Sequence, residues 1–512
     1  MPKFWRIADM RTRTVLIVST AVGVLLTLLQ SFFSTAMYRD SANVYSAMVR
    51  SLAAGDIAWA FHPEIPSLNV LIAGLFTLTG MRPEQATSLV SGLFYAATIP
   101  FIYLMMKQFL PEKLSAVGAL LFACAPKIIR FSCSGLIDSA KIFFLVAALH
   151  FAGLLIRGHF RSYRHALLLG AMLGGASLAR SEGVGNGLVI LGCVGLFWLC
   201  EAAKERKMPP VLPCLAAMAV WALLILSRMC LMFLVFGRFI FDRRIANLFA
   251  WLCSPSAPAA ASAASAGNAA AGTEAVSTGY LVIQSLRGSY ELYFGAAMLG
   301  LVLVLAALHG GLRRLLWPAG KSAELWRWHS FYWVLFAMIF GNMVIFRVVG
   351  VTAYRYFLIN IPLLLVFVLL ALQWIAVWME KLLPKWCRHV AAWVLAFIML
   401  GQVFNGTGKF FSSRTRREYR TGVLAGKIIR EANPDARVWF REASVEWYYS
   451  GTRRAEGDAS DPAVRAGFDY ALAIPDEEGA AVLADRKDLR EIPLPPGCTA
   501  KLYRKVSDHE ER

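Results

Sequence analysis

Apolar runs of about twenty residues recur along this chain from residue 14 to residue 405, and they exclude most folds. A bilayer offers no water to backbone N–H and C=O groups, so each run must satisfy them internally, as a helix. Runs near 14–34, 86–107, 113–130, 138–156, 165–180, 183–200, 211–236, 293–309, 329–348, 356–379 and 389–405 predict about eleven spans. The 58% hydrophobic content and mean hydropathy of +0.54 agree, since soluble domains are about half apolar. The chain is expected to be mainly α, a polytopic helix bundle.

Charge orients the bundle. The net charge of +19 is uneven: residues 1–405 hold 33 Lys and Arg against 15 Asp and Glu, and residues 406–512 hold 19 against 18. The excess belongs to the membrane part, where Lys and Arg gather in cytoplasmic loops, so nucleic acid is not an expected partner. Lys3, Arg6, Arg11 and Arg13 precede a first span without a small-residue cleavage site, which reads as a retained signal anchor with a cytoplasmic N-terminus. The apolar stretch Leu68 to Met81 is short. If it does not cross, the basic loops at 107–113, 157–164, 204–207, 313–327 and 381–388 share the cytoplasmic side and the C-terminus lies outside. A bacterial inner membrane, with the C-terminus periplasmic, suits this pattern. The nine cysteines form no CxxC and read as small apolar packing residues.

Residues 1–409 are expected to form the transmembrane part. It would include a first outer loop with interfacial helices at 35–85 and an outer loop at 237–292 that carries a low-complexity Ala/Ser segment. From residue 410 the composition becomes that of a soluble domain. Helical REYRTGVLAGKIIREANPDA precedes strand-like RVWFREA, YALAI and TAKLYRKV, so 410–512 reads as a small extracytoplasmic α/β domain. Deleting it is expected to leave a site built on the first outer loop intact.

The same parity places residues 38–66, the 127–138 turn, 180–183 and 347–355 on one outer face, where Asp40, Asp138 and Arg355 can share a site. Asp40 follows the first span. Asp138 opens the fourth span, where a carboxylate also suits a helix cap. Lys127, Arg130 and Lys141 lie close in sequence, as cations that suit a phosphate. Arg180 and Glu182 sit where an apolar helix breaks in GASLARSEG, and ionisable groups at that depth are functional candidates. Arg355 stands between tyrosines in AYRYFLINIPLL. No Walker loop, GxGxxG after a strand, GxSxG elbow or HExxH is present, which argues against a nucleotide or dinucleotide donor.

The order of RDSANVYSAMVRSLAAGD, HPEIPSLNVLIAGLFTLTG, LIDSAKIFF, GASLARSEG and RYFLINIPLL resembles the GT-C superfamily of polytopic glycosyltransferases, in particular the relatives of protein O-mannosyltransferases and the lipid A aminoarabinose transferase. The resemblance implies inverting transfer of a hexosyl or pentosyl group from a polyprenyl-phosphate-linked sugar donor to a lipid, glycan or protein acceptor, among membrane lipids at the outer face. It makes Asp40 the general base and Asp138 a second catalytic carboxylate. Arg355, Arg180, Lys127, Arg130 and His62 would bind the donor phosphate, and Tyr45, Glu64, Glu182 and Tyr354 complete the site candidates. Two positions depart from the pattern: Ser41 stands where many relatives have a second acid, and Glu64 where Pro is common. No metal ligand and no cofactor is assigned; a divalent metal stays open. The alternative is a transporter or flippase of a lipid-linked sugar, disfavoured because polar residues collect at one face and no internal repeat is seen. A non-catalytic scaffold presenting residues 410–512 is a further rival.

Overall fold

The computed structural model describes residues 12–33, 41–56, 68–237 (109 and 207 excepted), 413–441, 444–454, 468–475, 483 and 488–506, with parts of 334–342, 358–369 and 397–408. Helices α1 (Thr12–Phe33), α2 (Ser46–Ala53), α3 (Leu68–Thr77), α4 (Pro83–Met106), α5 (Glu112–Ala123), α6 (Pro126–Ser132), α7 (Asp138–Arg157), α8 (Tyr163–Ala179), α9 (Glu182–Glu205) and α10 (Leu212–Phe236) follow in order, with a π-helical turn at Ser41–Tyr45 leading into α2. Among the described residues α1, α4, α7, α9 and α10 are long and apolar enough to cross a membrane, and the bent pair α5 and α6 makes a sixth if it is one span. The protein is a mainly α, multi-pass membrane protein. The spans expected at 293–309, 329–348, 356–379 and 389–405, and the loop at 237–292, lie wholly or partly outside the described residues.

Local chemistry explains the boundaries. Pro83 begins α4 where its missing N–H costs nothing, and Glu84 meets the positive end of the helix dipole. Ser162 caps α8 by accepting from the His165 N–H at 3.3 Å. At ten residues, about 15 Å, α3 is too short to cross a hydrocarbon core of about 30 Å, in keeping with the non-crossing reading of 68–81.

The expected continuous span at 113–130 needs correction. The chain bends by 56° between α5 and α6. Pro126 has no N–H to continue the ladder and forces Ala125 into an extended conformation (φ −69°, ψ 115°). The buried Tyr95 hydroxyl donates to the Ala123 carbonyl, satisfying one acceptor that the helix end leaves open.

The bundle has two chemically different ends. At one lie Lys107, Lys113, Arg157, Arg161, Arg164 and Arg206, at the ends of α4, α5, α7, α8 and α9. At the other, the π-helical turn, the α6–α7 turn and the α8–α9 turn meet.

Beyond the bundle, α11 (Ser413–Ala432) and α12 (Ser444–Ser450) accompany strands β1 (Arg437–Arg441), β2 (Arg453–Arg454), β3 (Tyr470–Ala473), β4 (Leu489–Ile492) and β5 (Lys501–Lys505). The five form one sheet in the order β2-β1-β3-β5-β4, parallel across β2, β1 and β3 and antiparallel across β5 and β4. Strand β4 was not foreseen, because Leu-Arg-Glu-Ile is too short and too charged to stand out.

Candidate functional site

Arg180 is the centre of the most buried group of charges at the second end of the bundle. It sits in extended backbone between α8 and α9, so its guanidinium turns inward where two helices separate. Its Nε and Nη2 donate to Glu182 Oε2 at 3.1 Å and Oε1 at 3.2 Å, and its Nη1 donates to Asp138 Oδ1. The three side chains are 4%, 0% and 7% exposed. The group holds one cation and two anions, and charges so deep are tolerated only when paired and hydrogen-bonded. The α8–α9 hairpin that creates it is tight, since a Cβ on Gly183 would lie 2.3 Å from the Ala176 carbonyl oxygen.

Asp138 is held from several directions. It opens α7, one turn before the buried Lys141 on the same helix. The turn before it is tied to α4 by Ser91, whose hydroxyl lies 2.5 Å from the Ser132 and Leu136 carbonyl oxygens and 3.0 Å from Ser139 Oγ. It is tied to the π-helical turn by Ser41, whose hydroxyl donates to the Gly135 carbonyl at 3.0 Å. Gly135 has φ +77°, and a Cβ there would meet Ser41 Oγ at 2.3 Å. The loop–loop contact therefore requires glycine at 135.

Of the sequence-predicted residues, Asp138, Arg180 and Glu182 come together. Lys127 is buried on α6, and on the same short helix Arg130 lies over the Phe131 ring with 5.1 Å to its centroid. Tyr45 ends the π-helical turn and packs against the bundle core. Asp40, His62, Glu64, Tyr354 and Arg355 lie outside the described residues. Sequence reasoning missed the roles of Ser41, Ser91 and Gly135. The Gly in SCSGLID was the one visible signal.

Among the described residues, His159, Glu201 and Glu205 form a group whose ligand atoms lie within 4.8 Å of one another, at the basic end away from Asp138. His159 Nδ1 and Glu201 Oε1 are 2.6 Å apart, so a hydrogen bond accounts for the pair.

The fold recurs in known proteins. The structure superposes on ArnT from Cupriavidus metallidurans bound to undecaprenyl phosphate with a TM-score of 0.61 and 13% identity, covering 96% of this chain and 98% of that one. This chain has the GT-C fold. The archaeal oligosaccharyltransferase AglB from Archaeoglobus fulgidus, in complex with an inhibitory peptide and a dolichol-phosphate, shares this fold at a TM-score of 0.52 and 11% identity, covering 92% of this chain and 70% of that one. Within the GT-C fold, residues 62–230 match the family model of dolichyl-phosphate-mannose-protein mannosyltransferase. That segment contains Asp138, Arg180 and Glu182. No curated protein sequence matches the chain significantly.

Proposed function

We propose that the protein is an inverting glycosyltransferase that moves a sugar from a polyprenyl-phosphate donor to a lipid, glycan or protein acceptor. The observation that carries this reading is the buried Asp138–Arg180–Glu182 group, lying beside the Ser41–Gly135 contact in a GT-C bundle. The Ser41–Gly135 contact sets the residue that follows Asp40 beside the turn that leads into Asp138.

In the proposed reaction Asp40 accepts the proton of the acceptor hydroxyl or amine as that atom bonds to the anomeric carbon. The bond from that carbon to the phosphate oxygen breaks, and polyprenyl phosphate leaves with the negative charge that develops. General-base assistance of this kind contributes about 10²–10⁴-fold. Asp138 orients the acceptor, and Arg180, by holding Asp138, sets its rotamer. Arg355, Lys127 and Arg130, with His62 and Arg180 behind them, supply the fixed positive charge that a departing phosphate requires. Tyr45, Glu64, Glu182 and Tyr354 line or support the same site. No step is routed through a metal ion. The reading also makes 1–409 the transferase part, with its site on the periplasmic side of an inner membrane, a cytoplasmic N-terminus and an extracytoplasmic 410–512.

The test is transfer by purified protein supplied with a polyprenyl-phosphate sugar and acceptor lipid. Asp40→Asn is expected to lower kcat by about 10²-fold or more while the variant stays folded. A wild-type rate in the folded variant would refute the assignment.

A further inference from the structure

The C-terminal α/β unit does more than rest on the bundle. Ala42 in the π-helical turn and Ala47 in α2 are buried in the same apolar cluster as Ala425, Ile429, Val445, Trp447, Tyr448 and Leu502. The segment that follows Asp40 is thus part of the core of a unit nearly four hundred residues later. Helix α12 packs directly on the π-helical turn.

One tyrosine fastens this contact at three points. Tyr448 is 1% exposed. Its hydroxyl donates to Glu84 Oε2 at 3.1 Å, in the first turn of α4. Its ring lies under the Arg50 guanidinium, with Cζ 3.8 Å from the centroid. Its backbone carbonyl accepts from Arg50 Nη2 at 3.0 Å. That carbonyl belongs to the last turn of α12, where acceptors lack intrahelical partners and the dipole favours a cation. Arg50 is the basic residue in the last turn of α2. The three contacts join α2, α4 and α12 around the one short segment between Ser41 and Ala53.

We propose that the α/β unit is a working part of the transferase, and that Tyr448 and Arg50 are positioning residues that hold the segment after Asp40 in register with the Asp138 loop. The inference rests on the transferase reading above and extends it to a region that carries no reacting group. Ser41 fixes the segment to the Asp138 loop from one side, and Tyr448 fixes it from the other. On this proposal, removing residues 410–512 releases residues 41–53, whereas the sequence alone suggests that the site survives the deletion.

The test uses full-length protein in detergent, comparing wild type with Tyr448→Phe, Tyr448→Ala and Arg50→Ala, and with Tyr503→Phe as a control in strand β5 of the same α/β unit. Amide hydrogen exchange over residues 41–53 is expected to rise severalfold in Tyr448→Ala and Arg50→Ala and little in Tyr448→Phe, which keeps the ring under Arg50. Strands β1, β3 and β5 should keep their protection. With a polyprenyl-phosphate sugar, kcat in Tyr448→Ala and Arg50→Ala should fall roughly tenfold or more with donor KM nearly unchanged, because misplacement by about 1 Å costs up to 10²-fold. Unchanged exchange over 41–53 in both Tyr448→Ala and Arg50→Ala overturns the inference whatever the activity. Raised exchange with a wild-type kcat overturns the positioning role. If the wild-type protein transfers no sugar, the transferase reading fails, while the exchange data still decide whether Tyr448 orders the segment.

Discussion

Replacing Arg180 by Leu removes a cation that both Asp138 and Glu182 engage, and leaves two carboxylates that are 7% and 0% exposed in a site shaped around a guanidinium. Breaking a buried ion pair from one side costs about 3–5 kcal/mol, because the surviving charge is neither solvated nor neutralised. Here two carboxylates lose a partner, so the cost should reach the upper part of that range. Neutralising all three positions, as Asp138→Asn, Arg180→Leu and Glu182→Gln together, removes both carboxylate charges along with the guanidinium and should recover most of the loss. The assay is the fraction of monodisperse protein after heating in detergent, read across a temperature series. The single variant should lose its folded fraction well below the wild-type temperature, and the triple variant should lie between them. Both should be inactive in transfer. A single variant as heat-resistant as wild type, or a triple variant less stable than the single one, would refute the view that Arg180 is held by its two carboxylates.

Other outcomes follow from particular contacts. Gly135→Ala must adopt φ +77° and place a Cβ 2.3 Å from Ser41 Oγ, so it should cost about 1–2 kcal/mol in backbone strain plus the clash; adding Ser41→Ala should relieve only the clash, as measured by thermal stability in detergent. Ser91→Ala removes the hydroxyl shared by Ser132, Leu136 and Ser139, and should cost about 1–3 kcal/mol while raising amide exchange across 132–139. Burial, assisted by Glu84 and opposed by Arg50, pushes the Tyr448 phenol above its ordinary value of 10.0. Its contribution is therefore complete below pH 10 and is lost as pH rises through the higher folded value. The stability advantage of wild type over Tyr448→Phe, measured by denaturant at pH 8 and pH 11, should shrink at the higher pH.

How far the site was legible can be judged residue by residue. Asp138, Arg180 and Glu182 were found because ionisable residues inside apolar sequence are expensive and therefore conspicuous. The Arg180–Glu182 pair, two residues apart, could be weighed from sequence, whereas Asp138 reaches Arg180 across 42 residues and that link could not. The break at Pro126 was visible in sequence, yet the run of apolar residues on both sides concealed it. Ser41 looked like a missing acid and proves to be a hydrogen-bond donor that joins two loops.

The sequence alone determined that the chain must cross a bilayer several times and that a small α/β unit follows. Hydrocarbon permits no unpaired backbone, and basic loops choose a side, so these facts are local and additive. Only the tertiary structure decided which helix ends meet: Arg180 with Asp138, Ser41 with Gly135, and Arg50 with Tyr448 across 398 residues. Apolar periodicity tells a helix which face to bury but not against which neighbour, and a site made from the ends of separate helices exists only once that choice is made.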